Sequence, residues 1–387
     1  GVSDTEIVIA SIVVPGTPAH ERAALESIIP EYIKVKNGGT RQEQRRADAS
    51  KRHYYGIKSY QAFRQWTHSF WELTGPREGW PDQLQEYYAT SPPFAIVSGS
   101  LGADATVVHE FCERMQLACI LPMTQVPPAA ENGFYSLYFS PGVRLEGEII
   151  AGYLAHEAGN TEYGVLLVYE DSAAGSAARE AIIAELSDIR SISISEYSLA
   201  RGEIPSVAEW TRLLQRSGAQ SFVPLLSAVQ LQNLMSPKLD ARLIPDKIVT
   251  AQSFTVWSQV ADVHGILERV THVYPYSLPA SDRSQFPRED AWLRSRGIQL
   301  PDEISAAQVL FACKAFGMAL ADIQSNFSRE YLLESLEHAL DSSFLTSLYP
   351  RTSLGADQRY LSRGAYLTRL TIVDGIPQVA NGTWFQP

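Results

Sequence analysis

The sequence is poor in cysteine, with 3 among its 387 residues. Cys112, Cys119 and Cys313 show no CxxC spacing, which leaves a zinc site or a thioredoxin-like centre without its usual ligands. An odd number leaves at least one thiol unpaired, so no disulfide framework holds the fold. Each lies among apolar neighbours and reads as a buried small hydrophobe. A Cys112–Cys119 bridge stands as the alternative, since spacing does not supply the geometry.

Basic charge is also short. Lys+Arg number 32 against 43 Asp+Glu, a formal net charge of −11. That balance argues against nucleic acid or an anionic membrane as partner, because both recruit clustered positive charge. No stretch reaches the ~18 unbroken apolar residues of a membrane span. The best run, Val309–Ala321, is broken by Lys314. Neither GxGxxG nor GxxxxGK[ST] occurs, so both phosphate cradles are missing. Gly99-Ser100-Leu101-Gly102 stops one residue short of GxSxG, and no histidine pair has HExxH spacing. The chain therefore does not read as an enzyme, and no cofactor or metal is expected.

What is present is ordinary globular material, 45% hydrophobic and 10% aromatic, long enough for two or three domains. Ile7–Val14 is a β-branched run closed by Pro15-Gly16, and it reads as a buried parallel strand. Glu21–Val35 carries Leu25, Ile28, Ile29 and Ile33 on one helical face. Asn37–Lys58 reads as irregular. Its basic part, Arg41–Arg52, is either an anion-docking patch or, more in keeping with its polarity, a solvated loop. Alternation then becomes regular. Strands are expected at Ser69–Leu73, Phe94–Val97, Ala118–Leu121, Phe134–Phe139, Tyr163–Tyr169, Ile192–Tyr197, Ser221–Leu226, Lys247–Ala251 and His272–Tyr276. Helices fall between them and at Ala228–Met235, Ala306–Ile323 and Arg329–Leu340. A terminal hairpin turns at Asp374-Gly375. The pattern predicts an α/β fold with parallel sheets covered on both faces, and about a dozen strands suggest two lobes.

In open α/β sheets, ligands bind at the carboxyl ends of strands, often against helix-start amides. Three loops qualify: Pro15–Glu21, Ser98–Asp104 and Met123–Val126.

Three segments carry a family resemblance. Gly1–Val14 (GVSDTEIVIASIVV), Phe94–Pro122 (FAIVSGSLGADATVVHEFCERMQLACILP) and Gly364–Pro387 (GAYLTRLTIVDGIPQVANGTWFQP) resemble mature periplasmic solute-binding proteins of the leucine/isoleucine/valine type. Glu146-Gly147 and Val168–Gly175 (VYEDSAAG) also fit. The resemblance implies a type I periplasmic-binding-protein fold: two doubly wound parallel-sheet lobes, three crossing segments, and a ligand cleft between lobes. Lobe I would hold 1–140 plus 255–341, and lobe II 142–254 plus 342–387. Crossings are expected near Phe139–Gly142, near Ala251–Thr255, and between about Ser342 and Tyr349.

The implied function is capture of a small polar organic solute for an ABC-type importer permease. The implied state is a monomer, extracytoplasmic, its signal peptide removed. A sensory module of the same fold is the alternative. Carried over, the ligand site takes His20 after the first strand, Ser100, Gly102 and Ala103 after the third, and Thr124 and Gln125 after the fourth. In the second lobe it takes Ala174, Ser227 and Phe254. The family's tyrosine before a glycine is here Ala174. The stretch that usually supplies an acid for the ligand's ammonium offers only Ser227 and Gln230. The expected ligand is therefore a small solute rich in oxygen acceptors, with an organic acid among the candidates, rather than leucine, isoleucine or valine; the class stays open between amino acid and organic acid. Tyr274, Tyr276, Phe254 and Trp257 read first as core packing, with a ring wall against the ligand as the alternative for all four.

Overall fold

A computed structural model describes residues 1–50, 64–128, 133–234, 236–260, 265–278, 286–300, 302–323, 327–341, 347–354, 358–373 and 376–387. The chain divides into two units. Unit 1 comprises Gly1–Ser140 and Arg283–Ser362; unit 2 comprises Pro141–Asp282 and Arg363–Pro387.

Unit 1 is built on β1 (Glu6–Val13), β2 (Gln65–Glu72), β3 (Ala95–Ser100), β4 (Ala118–Ile120) and β5 (Ser136–Leu137), in spatial order β2-β1-β3-β4-β5. Every pairing in it is parallel. All six residues of β3 are buried, as a central strand covered on both faces requires. Its helices are α1 (Ala19–Ser50), α2 (Trp80–Thr90), α3 (Thr106–Arg114), α8 (Phe286–Arg294), α9 (Glu303–Asp322) and α10 (Arg329–Asp341). On one face Trp71 stacks on Tyr87 and meets Phe111 edge-on, among Ile12, Leu84, Val108 and Cys112.

Unit 2 contains α4 (Val143–Ala158), β6 (Tyr163–Glu170), α5 (Ala173–Leu186), β7 (Ile192–Leu199) and α6 (Val207–Ser217). It continues with β8 (Ser221–Leu225), α7 (Ala228–Leu231), β9 (Lys247–Ala251), β10 (Val270–Tyr274), β11 (Ala365–Val373) and β12 (Ile376–Phe385). The sheet order is β12-β11-β10-β9-β8-β6-β7. Strands β6 to β10 pair in parallel, and β11 and β12 form an antiparallel edge. Trp210 and Phe222 meet edge-on in its core. Trp257 at 5% and Tyr274 at 6% exposure are core residues, as expected.

Several expectations need correction. The irregular stretch from Asn37 is helical to Ser50, because α1 runs through it. Asn37 opens the stretch read as irregular, yet its side chain donates to the Trp66 carbonyl at 2.9 Å and accepts from the Trp66 amide at 2.8 Å. It continues the ladder at the edge of β2 instead of capping a helix. The residues beyond Thr40 are mostly Gln, Glu, Arg and Ala, which favour helix without an apolar face. Residues 51–58 of that stretch, Met235 and the Asp374-Gly375 turn lie outside the described residues. Helix α8 has no counterpart in the expected elements.

The second and third chain crossings fall later than expected. Strand β10 pairs with β9 and β11, which keeps it in unit 2. Residues 359–362 stay with unit 1: the Tyr138 amide donates to the Arg359 carbonyl, and the Leu361 amide to that of Tyr138. Helix α9 is long and apolar enough to cross a membrane by composition. It is instead largely buried in unit 1, and Lys314 on it pairs with the buried Glu289 at 2.8 Å. All three cysteines are buried free thiols. For Cys112 the neighbouring Cys119 and burial raise the thiol well above its ordinary value, which disfavours the reactive thiolate.

One side chain ties three parts of unit 1 together. Arg329 opens α10 and donates to the carbonyls of Pro93, Phe94, Met115 and Gln116 at 2.9–3.2 Å, and to the Tyr88 hydroxyl at 3.3 Å. Arg329→Ala strands these acceptors and is expected to cost about 2 kcal/mol in denaturant unfolding. A loss under about 0.5 kcal/mol, the range of ordinary surface changes, would show that water replaces the guanidinium.

Candidate functional site

In unit 1 the carboxyl ends of β1, β3 and β4 meet. The register of β1 against β3 shifts between Ala10 and Ile12. Opposite that shift Ser98 has φ 58° and Gly99 φ 128°. This bulge re-aims Ser100, whose residue is fully buried. The Ser100 hydroxyl donates to Glu21 Oε2 at 2.6 Å, from β3 into the first turn of α1. The Thr17 hydroxyl lies 2.8 Å from the Val14 carbonyl and 3.1 Å from Ser100 Oγ.

The neighbouring loops are laced together. The Met123 amide donates to the Gly99 carbonyl, and the Leu101 amide to that of Met123, both at 2.9 Å. Gly102, at φ 67°, turns the chain. Its carbonyl accepts from the Thr124 hydroxyl at 3.0 Å and from the Gln125 amide at 3.2 Å. His20, Ser100, Gly102, Ala103, Thr124 and Gln125 therefore share one edge of unit 1. Asp104 beside them accepts from Arg77 at 2.5 Å and from the Thr106 amide and hydroxyl. These donors outweigh its desolvation and hold its carboxyl near 2. Asp104 is thus a fixed anion whose charge Arg77 offsets.

In unit 2 the expected residues serve local structure. Ala174 is buried in the first turn of α5, behind Ser172, whose hydroxyl caps that helix through the Gly175 amide at 3.1 Å. A Cβ on Gly175 would lie 2.1 Å from the Glu170 carbonyl oxygen, so the glycine is required there. Ser227 caps α7 reciprocally with Gln230: each accepts from the other's backbone amide. Gln230 Nε2 donates in turn to Glu170 Oε2 at 2.8 Å, and the Gly202 amide reaches the same oxygen at 2.9 Å. Glu170 is a pinned brace, not a side chain free to swing toward a ligand. Phe254 is half-buried in the turn after β9. Val256, two residues on, is exposed at 47%, and Val229 in α7 at 56%.

Sequence reasoning misses two acids. Glu21 stands beside His20, which draws attention instead. Glu146 is 2% exposed under the turn after β9; its Oε1 accepts from the Ser253 amide at 3.3 Å, and its Oε2 has no partner. Among the described residues no group of three or more His, Cys, Asp or Glu side chains is placed to hold a metal ion.

No protein-family model matches the chain, and no curated protein does. Solved structures do match over its whole length. A branched-chain amino acid ABC transporter protein from Thermus thermophilus with bound valine superposes at TM-score 0.69 and 11% identity, covering 100% of this chain and 98% of its own. A fatty acid ABC transporter substrate-binding protein from Thermomonospora curvata gives 0.65 at 11% identity, covering 100% and 94%. A leucine-binding protein from Thermotoga maritima gives 0.63 at 9% identity, covering 98% and 99%. The fold is that of the type I periplasmic binding proteins.

Proposed function

We propose that the chain is an extracytoplasmic solute-binding protein that captures a small organic solute and hands it to an ABC-type importer. The observation that carries this reading is the match, over nearly all of both chains, to transporter substrate-binding structures. The edge of unit 1 agrees with it: buried hydroxyls and laced loops at the strand ends suit binding rather than bond breaking. The proposed contacts are His20, Ser100, Gly102, Ala103, Thr124 and Gln125, all at the strand ends of unit 1. The importer permease is the proposed partner, and the proposed state is a monomer.

Titration calorimetry tests the reading against amino acids, amines, organic acids, amides, polyols and fatty acids. The expected result is one site of micromolar or tighter affinity for one chemical class. Silence across the whole panel would sink the transport reading.

A further inference from the structure

Three hydroxyls at the expected carboxylate-binding corner of unit 1 have spent their protons, while the fully buried Ser98 hydroxyl beneath them has no partner among the described residues. Ser100 gives its proton to Glu21, Thr124 gives its own to the Gly102 carbonyl, and Thr17 is turned on Val14 and Ser100. What Thr17, Ser100 and Glu21 still present is oxygen lone pairs and one carboxylate oxygen, Glu21 Oε1. No basic side chain pairs with Glu21 among the described residues. The adjacent Arg22 shares Nη1 between Glu26 at 3.2 Å and Glu72 at 3.1 Å.

The groups facing Glu21 are Ser100 from β3, His20 on its own helix, and Asp302 from the start of α9. Asp302 is engaged as the cap of α9, accepting from the Ser305 amide at 2.7 Å, and adds like charge. Burial of Glu21 and the field of Asp302 raise its carboxyl above the ordinary range. A cation brought to the carboxylate would offset both effects. In unit 2, where the family resemblance looks for an acid, Ser227 and Gln230 form a helix cap, and Glu170 is held by Gln230 and the Gly202 amide.

We infer that Glu21, polarised by Ser100, is the receptor for a cationic nitrogen on the solute, so that the ligand is an ammonium- or amidinium-bearing compound rather than a simple organic acid. This rests on the solute-binding reading and deepens it. The amides of Gly102, Ala103 and Asp104 stand a few residues along the same edge.

A purely structural account is open to the same residues. An acid in the first turn of α1 favours the helix dipole, and its bond to Ser100 ties α1 to β3. Glu21→Gln separates the two, because the amide oxygen still accepts from Ser100 while the charge is gone. The probes are the L-amino acids, the amines that lack their carboxylate, and the acids that lack their amino group. Calorimetry and thermal unfolding read wild type, Glu21→Gln and Ser100→Ala.

The expected hits all carry a cationic nitrogen. Glu21→Gln should weaken them by about 30-fold or more, with ligand-free melting little changed. Ser100→Ala should weaken them less. Affinity in Glu21→Gln within about threefold of wild type overturns the inference, as does binding confined to the amine-free acids; either leaves the transport reading in place. Silence from every nitrogen-bearing probe overturns the inference, and silence from the acids as well overturns both.

Discussion

Glu146→Gln is expected to leave stability nearly unchanged at pH 5 and to raise it by roughly 3–5 kcal/mol at pH 9. The carboxyl is buried in the first turn of α4, and burial lifts it from 4.5 to about 8, while its hydrogen bonds to Ser253 pull weakly the other way. Below pH 4.5 it is protonated in both folded and unfolded chains. Between 4.5 and about 8 the unfolded chain has released the proton and the folded one has kept it. The folded state then binds more protons, so stability falls as pH rises through that window. Glutamine keeps the shape and the acceptor for the Ser253 amide but has no proton to lose. Urea unfolding of both proteins from pH 5 to 9 measures the gap. Parallel curves would mean that the carboxyl reaches water, or finds a cation, in solution. The carboxylate of Asp104, in unit 1, works with the opposite sign: held near 2, it adds stability above its ordinary range that is lost as pH falls toward 2.

Much of the scaffold was written in short apolar runs. Ile7–Val14, Tyr163–Tyr169 and Lys247–Ala251 have few neighbours to pair with except buried parallel strands, and each lies there. Polar elements were harder to read. The second half of α1 has no apolar stripe, so its continuation past Asn37 shows only once Trp66 is found beside it. The second and third crossings were misplaced for a related reason. Periodicity tells that His272–Tyr276 is a strand, yet nothing in it says that β11, some 90 residues on, is its partner. The site divides in the same way. The loops at the strand ends were legible from small residues and proline, but the roles of their side chains were not. Ser100 looked like a donor for a ligand carboxylate, and it already gives its proton to a carboxylate 79 residues away. Ser227 and Gln230 looked like remnants of an ammonium site, and they are a cap. Glu146 was the one case with an overlooked signal. An acid flanked by Leu145 and Gly147, with Ile149 and Ile150 in the next turn, has nowhere polar to go.

Gly99→Ala is expected to cost roughly 3–5 kcal/mol and to weaken ligand binding together with stability. At φ 128° the backbone of Gly99 occupies a region that L side chains rarely adopt. A Cβ there would also lie 2.5 Å from the Ile12 carbonyl oxygen and 3.1 Å from its amide nitrogen. Both are backbone atoms of the central strand β1, so no side chain can swing aside. Relief requires β1 and β3 to part at the bulge that aims Ser100 toward Glu21, which couples the fold to the site. Gly38 supplies the contrast. It lies inside α1, where an added methyl group would meet nothing within 4 Å and φ is not positive. There the same change should raise stability by about 0.5–1 kcal/mol, since alanine loses less backbone freedom in a helix. Chemical denaturation of the two variants gives opposite signs if the bulge is rigid. A Gly99→Ala loss as small as about 1 kcal/mol, the size of an average point substitution, would show that β1 and β3 slide past one another easily. Ser100 would then have no fixed aim.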